Sequence, residues 1–140
     1  MIKILCYTSL LFSNTYRTKF QQVINEKNLK GLLDIHHIIP KQCKNHPTII
    51  MSKYDIENGY NLMFLPTLSG WVKIYNLHPN RPINFNGHKE YNIYVIKLLD
   101  EMFLNNQIHE ENLCKLNRHL RKNMRRVTDL ERTHLEIPWN

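Results

Sequence analysis

The sequence predicts one α+β domain spanning residues 1–140, and three observations carry that prediction. Residues 88–105 and 110–130 repeat apolar side chains at helical spacing. Residues 32–40 form a short β-branched run closed by Pro40, and residues 61–66 form a second short apolar run closed by Pro66. No repeat, low-complexity segment or linker divides the chain.

The elements follow in order. The segment SNTYRTKFQQVINEKNLKG, residues 13–31, reads as a helix that Ser13 or Asn14 can cap and Gly31 can end. Phe20, Val23, Ile24 and Leu29 lie roughly on one of its faces. LLDIHHIIP follows as a strand. Residues 41–60 are polar and punctuated, a loop with one short helical turn. NLMFLP reads as the second strand. Residues 67–87 are irregular, broken by Pro79, Pro82 and Gly87. In the next helix Tyr91, Tyr94, Val95, Leu98, Leu99 and Met102 recur at i, i+3, i+4, i+7, i+8 and i+11. The last helix places Leu113, Leu116, Leu120, Met124 and Val127 on an apolar stripe. Arg118, Arg121, Lys122 and Arg125 form a basic stripe on another face, which Arg126 extends.

Bulk properties narrow the class. With 140 residues, 42% hydrophobic, the chain can bury a modest core and is not disordered. A net charge of +7 favours an anionic partner, nucleic acid first and a membrane surface second. No apolar run approaches the ~20 residues that span a bilayer, so no membrane partner is expected. Cys6, Cys43 and Cys114 are odd in number, widely spaced and without a CxxC, which argues against a disulfide framework or a cysteine zinc ribbon. The opening MIKILCYTSLLFS has one lysine and no A-x-A cleavage site after it. It therefore reads as a buried strand or helix ahead of a signal peptide. An intracellular setting is the expectation, cytoplasm in general, or the nucleus or a virus factory for a eukaryotic or viral source.

The stretch LDIHHIIPKQ raises the functional question. Successive strand residues point to opposite faces, so His36 and His37 would not meet in a regular strand. At a strand end both can reach one centre, one ring binding a metal and the other facing a substrate. Asp34 shares a face with His36, where it either fixes the imidazole tautomer or lies exposed. Asp55 and Glu57 read as loop solubility or a cap, with a carboxylate reaching a metal as the alternative. His46, His109, His119 and His134 have no partner spacing and read as structural or surface residues.

Three blocks then recur in one order: IHHIIP, NLMFLP and NFNGHKEYN. Together they resemble the HNH/ENDO VII nuclease superfamily, and within it the AHH branch, whose pattern runs AHH-hydrophobic-hydrophobic-P, NG-x-x-LP, then HxGxH-x-x-Y. The likeness covers about residues 33–102, with the basic helix at about 110–130 beyond it. Ile35 replaces the branch's alanine, Leu62 stands where glycine is common, and Asn84 occupies the first histidine of the third block. The resemblance implies a ββα-metal finger flanked by an N-terminal helix and two C-terminal helices. It implies a metal-dependent endonuclease acting on DNA. His36 and His88 would bind the metal, His37 would be the general base, and Asn61 would hold the loop that orients it. The third ligand stays open among Asn84, Asn92 and His78. One divalent ion is implied, Mg²⁺ first, with Mn²⁺ and Zn²⁺ as alternatives. Lys41 is a candidate contact for the scissile phosphate, and Arg118, Arg121, Lys122, Arg125 and Arg126 for the nucleic-acid backbone. A homodimer is left open. Two rival readings stand beside this one: an inactive metal-holding nucleic-acid-binding module, and a toxin-type nuclease effector.

Overall fold

The computed structural model describes residues 13–67, 69–70 and 88–128, and the side chains of these except residues 13–16, 88 and 125–128. Expectations for residues 1–12, for the irregular stretch at 71–87 and for the tail fall outside the described residues. Helix α1 (Ser13–Glu26) leads into strand β1 (Leu33–His37). A 3-10 turn (Lys41–Asn45), helix α2 (Pro47–Ser52) and a second 3-10 turn (Gly59–Asn61) connect it to strand β2 (Leu62–Pro66). Helices α3 (His88–Leu104) and α4 (Glu110–Thr128) follow. The mixture of helices with one small sheet is an α+β fold, as expected.

Strands β1 and β2 pair antiparallel, with Leu33 opposite Pro66, His36 opposite Met63 and His37 opposite Leu62. Pairing continues past the strand end, because Ile38 N–H donates to Asn61 O at 2.7 Å. Helix α1 packs on this sheet through Phe20 against Phe64, ring centroids 4.6 Å apart, and through buried Ile24. Beyond β2 the chain returns close to Leu32: a Cβ on Gly70 would lie 1.7 Å from Leu32 O, so only glycine fits there.

The core forms where α3 and α4 cover the other elements. Tyr91, Val95 and Leu99 of α3 and Leu113, Leu116, Leu120 and Met124 of α4 are buried with Ile38, Ile39, Ile49 and Leu65. These are the stripes that periodicity predicts. Val127 belongs to the α4 stripe by spacing, but its side chain lies outside the described residues.

Four expectations need correction. Helix α1 ends at Glu26 rather than near Gly31, because Asn28 takes a left-handed conformation (φ 54°) that closes the helix early. Val23 is exposed rather than on the buried face. The 41–60 loop holds three short helical pieces, and the second and third have a local start signal. His46 Nδ1 accepts from Thr48 N at 3.2 Å with Pro47 at the first helical position, and Asn58 accepts from Tyr60 N at 2.8 Å. Finally, Cys43 is a free buried thiol, whose pKa burial pushes up to about 11, but Cys114 is disulfide-bonded. Its partner lies outside the described residues. Linear spacing is blind to such a pairing, because it needs only proximity in the fold.

His46 has a structural task. Since its Nδ1 accepts from Thr48, its Nε2 carries the proton and donates to Asp100 of α3 at 2.9 Å. Thr48 Oγ1 donates to Leu99 O at 2.8 Å, so α2 is held onto α3 by both residues.

Candidate functional site

Strand β1 ends at the histidine doublet, and the sequence explains why. Ile38 and Ile39 turn wholly into the core, and Pro40 lacks the N–H that another ladder bond would need. Both histidines stay in the paired strand, opposite Met63 and Leu62. His36 and His37 both line one surface depression of ≈350 Å³, together with Ile35, Lys41, Gln42 and Asn92. His36 is 8% exposed, and its ring lies 5.6 Å from the Tyr91 ring. Tyr91 OH in turn donates to Ile38 O. Burial raises the Tyr91 pKa well above its ordinary value, helped by Cys43 and neighbouring tyrosines, so the phenol stays a neutral donor.

Asn61 sits at the base of this arrangement, fully buried. Its Oδ1 accepts from Ile39 N (2.8 Å), Tyr54 OH (3.1 Å) and Asn117 Nδ2 (3.2 Å). Its Nδ2 donates to Ile39 O (2.9 Å) and Ile56 O (2.8 Å). One side chain therefore ties the segment after the doublet to the 54–61 loop and to α4.

That loop brings in a residue whose importance the linear sequence hides. Glu57 Oε2 accepts from His37 Nε2 at 3.2 Å, and Glu57 Oε1 pairs with Lys41 Nζ at 3.2 Å. Arg17 of α1 reaches Oε2 at 3.8 Å. Burial alone would raise the Glu57 pKa, but the hydrogen bonds from His37 and Lys41 outweigh it and hold the carboxyl below its ordinary 4.5. The pairing therefore favours the folded loop above pH 4.5 and fades as pH falls through the lower folded value. Glu57 stands twenty residues from His37, at no motif spacing. The available signal was the strand register: with His37 opposite Leu62, the residues just before β2 must pass the end of β1.

The other predicted site residues are distributed as follows. Asn92, one turn along α3 from His88, reaches the depression. His88 opens α3, but its side chain, those of Arg125 and Arg126, and the whole of His78 and Asn84 lie outside the described residues. Asp34 is exposed and borders a second cleft with His36, Arg17 and Lys30. On α4, Arg118 and Lys122 are exposed. Arg121 is half-buried: it donates to Tyr60 O and stacks 5.5 Å over the Tyr60 ring. His119 faces Asn123 at 3.1 Å.

As a metal site, the described donors are an incomplete set. Two imidazoles, His36 and His37, and one amide, Asn92, share the depression, and His37 is already engaged by Glu57. No group of three His, Cys, Asp or Glu converges among the described residues. Among the described residues, no helix is long and apolar enough to cross a membrane.

Comparison with curated proteins and with solved structures returns no match. A family model does match, over residues 24–128, and that span holds the doublet, Asn61, both strands and both C-terminal helices. It describes a nuclease family with a conserved AHH, and the chain belongs to it: the AHH family of the HNH/ENDO VII nuclease superfamily.

Proposed function

We propose that the protein is a metal-dependent endonuclease that hydrolyses phosphodiester bonds of DNA, with β1, β2 and α3 as a ββα-metal finger. The observation that carries this reading is the convergence of His36, His37, Lys41 and Asn92 on one depression in a chain of a nuclease family. His36 and His88 are the proposed metal ligands, with Asn92, Asn84 or His78 beside them, and Mg²⁺ is the proposed ion.

A phosphodiester resists attack because it is anionic and its leaving alkoxide is poor. A bound divalent cation offsets the phosphate charge and stabilises the leaving oxygen. The chain's own residues supply the rest. His37 accepts a proton from the attacking water, a task for which an imidazole is suited near neutral pH. Lys41, at the rim, offers a charge to the phosphate once substrate competes with Glu57 for it. Asn61 keeps the end of β1 in register, so that the base does not swing away from the depression.

Metal removal tests this directly. Supercoiled plasmid is expected to be nicked with Mg²⁺ or Mn²⁺ and to stay intact in EDTA, with activity returning when metal is restored. Binding without cleavage under Mg²⁺, Mn²⁺ and Zn²⁺ alike would favour the inactive metal-holding module instead.

The basic helix yields a separate expectation. Replacing Arg118 and Lys122 together by alanine should reduce the slope of log affinity against log salt by about two, because each exposed cation neutralises about one phosphate. Arg121→Ala should instead lower stability by about 1–2 kcal/mol, through loss of its bond to Tyr60 O. Anisotropy titrations of a labelled duplex at several salt concentrations, with urea melts alongside, separate the two effects. An unchanged slope would remove Arg118 and Lys122 from the interface.

A further inference from the structure

The carboxylate of Glu57 is oriented from several sides at once. Lys41 Nζ takes Oε1 at 3.2 Å, which leaves Oε2 towards His37 at 3.2 Å, and Arg17 adds charge at 3.8 Å. The backbone is held on both sides of the same point. Glu57 N–H donates to Asp55 Oδ1 at 3.0 Å, and Ile56 O accepts from Asn61 Nδ2 at 2.8 Å. The Glu57 side chain therefore reaches His37 from a fixed position. The His37 side chain itself is only 13% exposed.

The chemistry of the contact then decides the tautomer. An ionised carboxylate only accepts hydrogen bonds. Its partner His37 Nε2 must therefore carry the proton. In the neutral ring, Nδ1 is then the sole proton acceptor. We infer that Glu57 is a positioning residue for His37, locking the imidazole as its Nε2–H tautomer so that Nδ1 is the atom available to take a proton from water. This rests on the reading of His37 as the base. The same carboxylate stabilises the ring after it has taken the proton, since both nitrogens then donate. In the substrate-free protein Lys41 helps hold the carboxylate ionised, and Arg17 lies 3.8 Å from the oxygen that faces His37.

The test uses the full chain. Long-range ¹⁵N–¹H spectra of the metal-free protein report directly which ring nitrogen bears the proton, with His37→Ala supplying the assignment. Wild type is expected to show His37 with a protonated Nε2 and an unprotonated Nδ1. In Glu57→Ala both tautomers should appear, and kcat should fall about 10- to 100-fold, as when an orienting partner of a histidine is lost, while KM stays within about twofold. Glu57→Gln keeps an accepting oxygen, so it should recover the Nε2–H tautomer and most of the rate. A Glu57→Ala protein that retains the pure Nε2–H pattern would overturn the inference, and so would one with wild-type kcat. Absence of cleavage by wild type would overturn the nuclease reading instead, and the spectra would still report whether Glu57 sets the tautomer.

Discussion

Replacing His37 by alanine is expected to lower the rate of DNA cleavage by about 10²- to 10⁴-fold, the range a general base contributes. Binding should survive, because the side chain adds no fixed positive charge to the surface. The loss should appear in kcat rather than in KM, since an interaction made with the attacking water acts in the transition state. Single-turnover cleavage of a labelled duplex, with anisotropy as the binding measurement, distinguishes this from misfolding. A variant that cuts within a few-fold of wild type would remove His37 from the chemistry. Residual cleavage in the variant is expected, because the proposed cation and neighbouring charges would supply the larger electrostatic share of the rate.

The second large effect concerns stability. Asn61→Ala is expected to cost about 4 kcal/mol, because it strands the Ile39 N–H, the Ile39 and Ile56 carbonyls and part of the Tyr54–Asn117 network, all partly or wholly buried. Each stranded buried group costs about 1–3 kcal/mol, and a domain of this size has roughly 5–15 kcal/mol in total. Asn61→Asp should be at least as damaging. It keeps the shape but loses the two N–H donors, and it turns an oxygen towards the Ile39 and Ile56 carbonyls. Urea melts at neutral pH measure both variants. A cost below about 1 kcal/mol for Asn61→Ala would mean that the network carries little of the fold's stability. Because Asn61 clamps residues two beyond His37 and one before Glu57, activity should fall in any folded fraction as well.

Helices α3 and α4 were legible from residue spacing, and their buried faces are those that periodicity names. Helical repeat is a local property, and a long amphipathic stripe has few other ways to leave water. The strand pair was legible too, from one β-branched and one apolar run, each closed by proline. The 41–60 loop was less so: its helical pieces are nucleated by single caps such as His46 and Asn58, which composition does not reveal. The end of α1 depended on the left-handed turn at Asn28 rather than on Gly31.

The family and the main elements of the core could be read from the sequence alone, and the doublet, Asn61 and the helix that begins at His88 stood out there as site candidates. Those features live in short segments, where neighbours in sequence are neighbours in space. What surrounds the doublet followed from the packing of distant segments. That packing brought Glu57 to His37, Arg17 and Lys41 to the same carboxylate, and Asn92 into the depression with His36. It also drew Arg121 out of the basic stripe to hold Tyr60. The physical reason is the same in each case. A charged side chain does not announce its partner through hydrophobic period or turn propensity, and its role follows from strand register and helix packing that bring distant segments within hydrogen-bond reach.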